Sequence, residues 1–275
     1  MILKIAGLKG LYDMVNKNIK MICSDLDGTL LTYNQTEFSE RFFEMVRELH
    51  KRGILFVPSS GRQIVSLQKL FGPVTDCCNY VCSNGAVICD SHGDVIEKIA
   101  MPREDALAIA YDFFDNTDGR GEVNIAGATM CHLWSRDLGM VDRLKFIGNK
   151  YELIDSPEEV KEDIVKVSVF LPDGADKYIN RFLDKWSKYN PAIAGPYWID
   201  TTLANKGSGV KALCDKLGID LSQVMAFGDN YNDVSMLDIV GHPFIMSGAA
   251  EELLLRYSNH TDSVEKSLEN FLINS

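Results

Sequence analysis

Four carboxylates fall into two short clusters far apart in the chain. Asp25 and Asp27 lie in Asp-Leu-Asp-Gly-Thr, and Asp229 and Asp233 in Gly-Asp-Asn-Tyr-Asn-Asp. Gathered into one pocket they would repel one another unless a hard cation sat among them. Mg²⁺ suits a site built from one or two carboxylates, waters and a substrate phosphate. Between the clusters stand Ser60, in Ser-Gly-Arg, and Lys206, in Asn-Lys-Gly. A hydroxyl and an ammonium are what a transferring phosphoryl group requires around its equatorial oxygens. Each residue alone has a plainer reading: Asp27-Gly28 as a turn, Asp229-Asn230 and Ser60 as helix caps, Lys206 as a solvated lysine. Their joint occurrence, in this order, favours chemistry.

The elements that would hold these groups can be read from the apolar pattern. Ile19 to Ser24 is a short apolar run that stops where Gly28 lets the chain turn. Phe42, Phe43, Val46 and Leu49 recur at helical spacing, and Ile54 to Val57, closed by Pro58, is a second strand. A helix over Ile64 to Phe71 and a strand over Tyr80 to Cys82 continue the alternation, and Asn84-Gly85 turns the chain into Ala86 to Cys89. Strand, helix, strand in series implies a parallel sheet, and ligands of such sheets bind beyond the strands' carboxyl ends. Four of those ends carry Asp25 to Asp27, Ser60 to Arg62, Ser83 to Gly85, and Asp229.

From about residue 90 to 196 the pattern changes. A helix is expected over Arg103 to Asn116, strands over Glu122 to Ala126, Met130 to Trp134 and Val165 to Leu171, and an amphipathic helix over Asp176 to Tyr189. Beyond Trp198 the first pattern returns, with a helix over Ser208 to Leu217, a strand over Val224 to Phe227, a helix over Val234 to Ile239 and a strand over Phe244 to Met246. The expected fold is α/β, a Rossmann-like doubly wound parallel sheet made of residues 1–89 and 197–275 and interrupted by an α+β module, residues 90–196. Hinges are expected near Ala86 to Asp90 and Gly195 to Asn205.

The net charge of −11 argues against a nucleic-acid partner, which would call for a basic patch. Seven cysteines, an odd number without the spacing of a secreted scaffold or of paired zinc knuckles, fit buried thiols in a reducing compartment. No apolar stretch reaches the roughly 20 residues of a membrane helix. Residues 1–18 read as an N-terminal extension, since Lys4, Gly7, Lys9 and Gly10 break any signal-peptide core. A cytoplasmic protein is the expectation.

Asp25-Leu26-Asp27-Gly28-Thr29-Leu30-Leu31, Ser60-Gly61-Arg62, Asn205-Lys206-Gly207 and Gly228-Asp229-Asn230-Tyr231-Asn232-Asp233 resemble the four motifs of the haloacid-dehalogenase superfamily. Ser83-Asn84-Gly85-Ala86 and the long insertion after it further resemble the Cof-type phosphatases with a type-two cap domain. The resemblance implies that Asp25 is the nucleophile, that Asp27 is the general acid and base, and that Ser60 and Lys206 hold the phosphate. Mg²⁺ would be bound by Asp25, the Asp27 backbone carbonyl and Asp229, with Asn232 and Asp233 in support. Ser60 stands where Thr is commoner, and Ser247-Gly248 and Thr202-Leu203-Ala204 depart from the family's usual loops.

The implied activity is hydrolysis of small phosphate monoesters, such as sugar phosphates, through an aspartyl-phosphate. Dehalogenation is disfavoured, because the Asp27 acid and the metal cluster belong to phosphoryl chemistry. The alternatives are a phosphomutase using the same intermediate and a non-catalytic protein that binds a phosphorylated metabolite. Arg62 and Asn84 flank the crevice and could touch the ester. Within the insertion His132, Trp134, Arg136 and Lys145 are weaker candidates, each more simply read as ordinary strand or surface residues, and His50 is a dipole-complementing residue at a helix end.

Overall fold

The structure, a computed structural model, describes residues 18–31, 37–135 and 139–275. The N-terminal extension, apart from residue 18, and Arg136 lie outside the described residues. Strand β1 (Met21–Ser24) is buried throughout and is followed by the helix Glu40–Lys51 and by β2 (Leu55–Pro58). That helix forms where expected because Ser39 caps it, its hydroxyl accepting the N–H of Phe42 at 3.0 Å, while Phe42, Phe43, Met45, Val46 and Leu49 make one buried face. β3 (Tyr80–Cys82), β4 (Val87–Cys89) and β5 (Val95–Lys98) form a three-stranded antiparallel sheet. Isolated parallel bridges, Phe56 to Cys78 and Ser59 to Val81, tie it to β2.

Next come β6 (Glu122–Ala126), β7 (Cys131–Trp134), β8 (Tyr151–Leu153), β9 (Lys166–Phe170), β10 (Ala192–Ile193) and β11 (Trp198–Thr201). They make a six-stranded sheet in the order β10-β11-β9-β6-β7-β8, antiparallel except between β7 and β8. β12 (Val224–Gly228), β13 (His242–Met246) and β14 (His260–Thr261) then return to the first sheet, whose order is β14-β13-β12-β1-β2 with every neighbour parallel. Alternate residues of β1 face opposite layers: Ile22 packs with Phe42, Phe56 and Phe71, whereas Met21 and Cys23 pack with Val210, Leu213 and Val224. A parallel sheet covered on both faces is the doubly wound arrangement. Among the described residues no helix is long and apolar enough to cross a membrane, and all seven cysteines are buried and free.

Two expectations need correction. Asp176 to Tyr189 is not an α-helix but a series of 3₁₀ turns at Ala175–Lys177, Ile179–Arg181 and Ser187–Tyr189. The expected face is still buried, since Ala175, Tyr178, Phe182 and Tyr189 join the insertion's core. Spacings of three and four residues decide which side faces inward, but not which carbonyl each N–H meets. Several bonds also anchor the segment to the neighbouring helix and its end: Trp186 Nε1 to Asp112 at 2.7 Å, Lys185 to Asp112 at 2.6 Å, and Arg181 to the Asn116 carbonyl at 2.9 Å.

The packing also changes hands later than the expected borders at 89/90 and 196/197. β5 pairs with β4, and Ile99 still packs with the parallel-sheet core, whereas Met101 belongs to the insertion's core. On the return, β11 is part of the insertion's sheet and Leu203 packs there, whereas Ala204 packs with the parallel-sheet core. The reason is register: β4 and β11 each have an antiparallel partner that apolar runs alone do not reveal.

The turn after β3 meets the helix Lys206–Leu217 at very close range. Gly85 has φ +96°, and a Cβ there would lie 1.9 Å from the Asn205 carbonyl oxygen. Gly85→Ala should therefore destabilise the protein by more than about 2 kcal/mol, combining backbone strain with a clash against main chain. Gly53→Ala, at φ +74° with nothing within 4 Å, should cost only about 1 kcal/mol. Urea unfolding of the two variants checks this, and equal losses would mean that the approach of Asn205 does not matter.

Candidate active site

Because β12, β1 and β2 are parallel neighbours, the residues that follow them emerge at one edge of the sheet. Asp25 follows β1, its N–H donating to the Phe227 carbonyl at 2.9 Å, and its side chain is buried. The chain then turns through Gly28, whose N–H donates to the Leu31 carbonyl at 2.8 Å. Glycine is required here: φ is +100°, and a Cβ would sit 2.4 Å from Asp229 Oδ2. Thr29 Oγ1 donates to Asp229 Oδ1 at 2.7 Å and so orients a carboxylate 200 residues away in the chain.

Lys206 is the first residue of its helix, which Asn205 caps by accepting the Ser208 N–H at 2.8 Å. Its ammonium is wholly buried, 2.5 Å from Asp25 Oδ1 and 2.6 Å from Asp233 Oδ1. The other oxygen of Asp233 accepts the N–H groups of Asp229 and Asn230, each at 3.0 Å. One carboxylate thus ties the lysine to the loop that carries Asp229.

Burial pushes the Asp25 carboxyl up to about 7, against the pull of Lys206 and with Asp233 adding to the rise. Burial also raises Asp229, which the Thr29 hydrogen bond partly offsets. For Lys206 burial works against its charge, but Asp25 and Asp233 outweigh it and the ammonium is held more firmly than usual. Oxygens of Asp25, Asp229 and Asp233 lie within 4.8 Å of one another. Three carboxylates face one lysine, so full ionisation leaves negative charge that a hard divalent cation would balance, and an all-oxygen donor set is what Mg²⁺ takes. The residues present therefore fit the ion.

A cleft of about 590 Å³ lies between the parallel sheet and the insertion. Asp27, Ser60, Arg62 and Asn84 line it from the core. Ser60 is buried, its N–H donating to the Val81 carbonyl at 2.9 Å and its hydroxyl accepting the Arg62 N–H at 3.3 Å. Arg62 grips Asp27 with two bonds, 2.6 Å from Nη2 and 3.1 Å from Nε. The Asp27 side chain is 57% exposed, so it can turn within the cleft. Asn84 has a left-handed backbone, φ 56°, and its buried Oδ1 has no hydrogen-bond partner among the described residues.

Asp25, Asp229, Asp233 and Lys206 are brought together, and Ser60, Arg62 and Asn84 meet Asp27 in the cleft. Asn232 is exposed on the turn Tyr231–Asp233. His132 is buried between Glu152, 2.7 Å from Nδ1, and Glu162, 2.9 Å from Nε2. Trp134 stacks on Phe114 with ring centroids 3.7 Å apart. Lys145 and His50 are exposed. The sequence reading missed Thr29 and the insertion's lining residues Asn124, Lys166, Ser168, Trp198 and Asp200. Alternation in Lys166-Val167-Ser168-Val169 was the available signal for two of them.

Residues 22–269 match the haloacid dehalogenase-like hydrolase family. The Escherichia coli 5-amino-6-(5-phospho-D-ribitylamino)uracil phosphatase YbjI is 26% identical over 86% of this chain and 88% of its own. A solved structure from Eubacterium rectale superposes with a TM-score of 0.82 at 26% identity, covering 92% of this chain and 99% of its own. The HAD subclass IIB sugar phosphatase BT4131 superposes with a TM-score of 0.76 at 21% identity, covering 92% and 98%.

Asp233→Ala would leave Lys206 with one carboxylate and strip two loop N–H groups of their acceptor. The expected loss is about 3 kcal/mol or more, since a buried charge loses a partner. Denaturant unfolding measures it, and a loss below about 1 kcal/mol would mean that Asp233 does not anchor the site.

Proposed function

The chain belongs to the haloacid dehalogenase-like hydrolases, and from that membership we propose that it is a Mg²⁺-dependent phosphatase that hydrolyses small phosphate monoesters through a phosphoryl group carried on Asp25. The observation that carries the reading is the buried contact of Lys206 with Asp25 at 2.5 Å, beside two further carboxylates and two residues along the chain from Asp27, which lines a cleft of about 590 Å³.

Lys206 holds Oδ1 of Asp25, which leaves Oδ2 to attack phosphorus in line with the ester bond. An ammonium has three donors. Two go to Asp25 and Asp233, so the third is available to a phosphoryl oxygen. Ser60 would donate its hydroxyl to another phosphoryl oxygen. As the ester bond breaks, Asp27 gives a proton to the departing alcohol oxygen. It then takes a proton from the water that attacks the phosphorus of the acyl phosphate, releasing inorganic phosphate and restoring Asp25. Arg62 holds Asp27 at the cleft before substrate enters.

Asp25, the Asp27 backbone carbonyl and Asp229 would hold Mg²⁺, with Asp233 ordering the Asp229 loop. Bound there, the ion would draw charge from the phosphoryl oxygens. Asn232, exposed on its turn, is given no part. We assign residues 18–99 and 204–275 to the catalytic core and 101–203 to a cap that closes the cleft and excludes water. The printed names of the relatives, a phosphoribitylamino-uracil phosphatase and a sugar phosphatase, support a small phosphorylated metabolite as substrate.

With p-nitrophenyl phosphate as substrate, a chelator should abolish turnover and added Mg²⁺ restore it. Asp25→Asn should lower kcat by about a thousandfold or more, about 4 kcal/mol of barrier at about 1.4 kcal/mol per tenfold. A folded Asp25→Asn protein with near-native turnover would falsify the assignment of Asp25.

A further inference from the structure

The insertion meets the core away from the two chain crossings at 99–101 and 203–204. The turn between β6 and β7 carries Ala128, which packs in the parallel-sheet core together with Val165. Three residues on, Cys131 opens β7 and is 2% exposed. It faces Gln63, which stands directly after Ser60-Gly61-Arg62 and is 4% exposed. Gln63 Nε2 lies 3.1 Å from Cys131 Sγ. On the flank, Lys98 of β5 and Asp163 form an ion pair at 2.8 Å, but both side chains are exposed and such pairs hold little.

The contact of Gln63 with Cys131 leaves much undone. Gln63 occupies the N-cap position of the helix Ile64–Leu70, where a side chain commonly accepts a helix N–H, yet it makes no capping bond. Its Oε1 is buried and has no hydrogen-bond partner among the described residues. Whichever way the amide is turned, one end meets the thiol and the other meets nothing. A thiol is itself a poor partner, weak as donor and as acceptor. With the insertion lifted, water would reach both ends of the amide, so docking exchanges good hydrogen bonds for one weak one. Burial of Ala128 and Val165 favours docking, and the amide opposes it.

We propose that Gln63 is the release element of the cap: a buried amide that the docked cap satisfies only in part, placed at the interface so that the cap lifts readily and the cleft opens to solvent. The inference rests on the division into core and cap and goes beyond the phosphatase reading. Its test needs no turnover, so either can fail without the other.

Cys131 is itself the reporter. Burial pushes its thiol up, so it is inert while covered, and lifting the cap uncovers it. Cys23 and Cys82, 0% and 1% exposed within the core, are uncovered only when the core opens. The full chain is treated with iodoacetamide, and the alkylation rate of each cysteine is read by peptide mass spectrometry. In wild type Cys131 should react at least about tenfold faster than Cys23 and Cys82, at a rate that hardly changes up to about 1 M urea, since lifting the cap exposes little surface. Gln63→Met keeps the shape without the polar ends and should slow Cys131 by about threefold or more. Gln63→Lys sets a cation near Lys166, whose charge is felt at Cys131, and should speed the reaction by about tenfold. Rates at Cys23 and Cys82 should stay as they are. A wild-type Cys131 no faster than the core thiols overturns the proposal, whether or not the variants fold. So does a Cys131 rate that is the same in all three proteins, or one that changes only in step with Cys23 and Cys82.

Discussion

The ammonium of Lys206, buried between Asp25 and Asp233, is the contact on which the site depends. Parallel strands deliver their acids to one edge of a sheet, and there the acids lose much of their water. Burial raises the Asp25 carboxyl, while Lys206 pulls it back towards the ionised form. The opposing positive charge comes from a distant part of the chain, 181 residues from Asp25. Hence the helix Lys206–Leu217 is pressed against the turn at Gly85, so close that no side chain fits between them. The chain's long excursion from β5 to Asn205 returns to a point fixed by that packing.

The excursion uses its two faces differently. Its apolar face builds a core of its own, although Ala128 and Val165 join the core of the parallel sheet. Its other face carries a smaller apolar cluster with Cys131, Leu133 and Phe170 beside the polar residues that line the cleft, and Gln63 Nε2 of the core reaches Cys131 Sγ at 3.1 Å. The residues proposed to hold phosphate lie after β1, β2 and β12 and at the start of the helix Lys206–Leu217, whereas Asn124, Ser168 and Asp200 lie on strands of the other sheet.

How much of this was legible in the sequence follows from how local each feature is. Asp25, Asp27, Ser60, Lys206 and Asp229 sit in short segments whose residue types announce strand end, turn or cap, so their placement at one edge of the sheet could be read. Thr29 lies inside such a segment, but its role depends on Asp229, 200 residues on, and only the fold supplies that distance. Asp200 is harder still, because nothing near it in the chain marks it as the partner of Lys166; the register of β9 with β11 does. The segment from Asp176 to Tyr189 shows the same limit on the backbone. Its apolar spacing revealed the buried side, while the winding of its main chain answers to bonds with Asp112 and Asn116 that spacing does not encode.

The protein's charge sets a last constraint. A chain of net charge −11 repels anions at long range, and the lining of the cleft offers two cations, each already held by a carboxylate. Under the proposed function attraction would arise at short range, from the third donor of Lys206, the Ser60 hydroxyl and a cation held among Asp25, Asp229 and Asp233. Short-range capture of this kind discriminates by shape. A compact phosphate at the end of a small alcohol reaches the sheet edge, while the more phosphates a ligand carries, the more it is repelled before any of these groups can compensate.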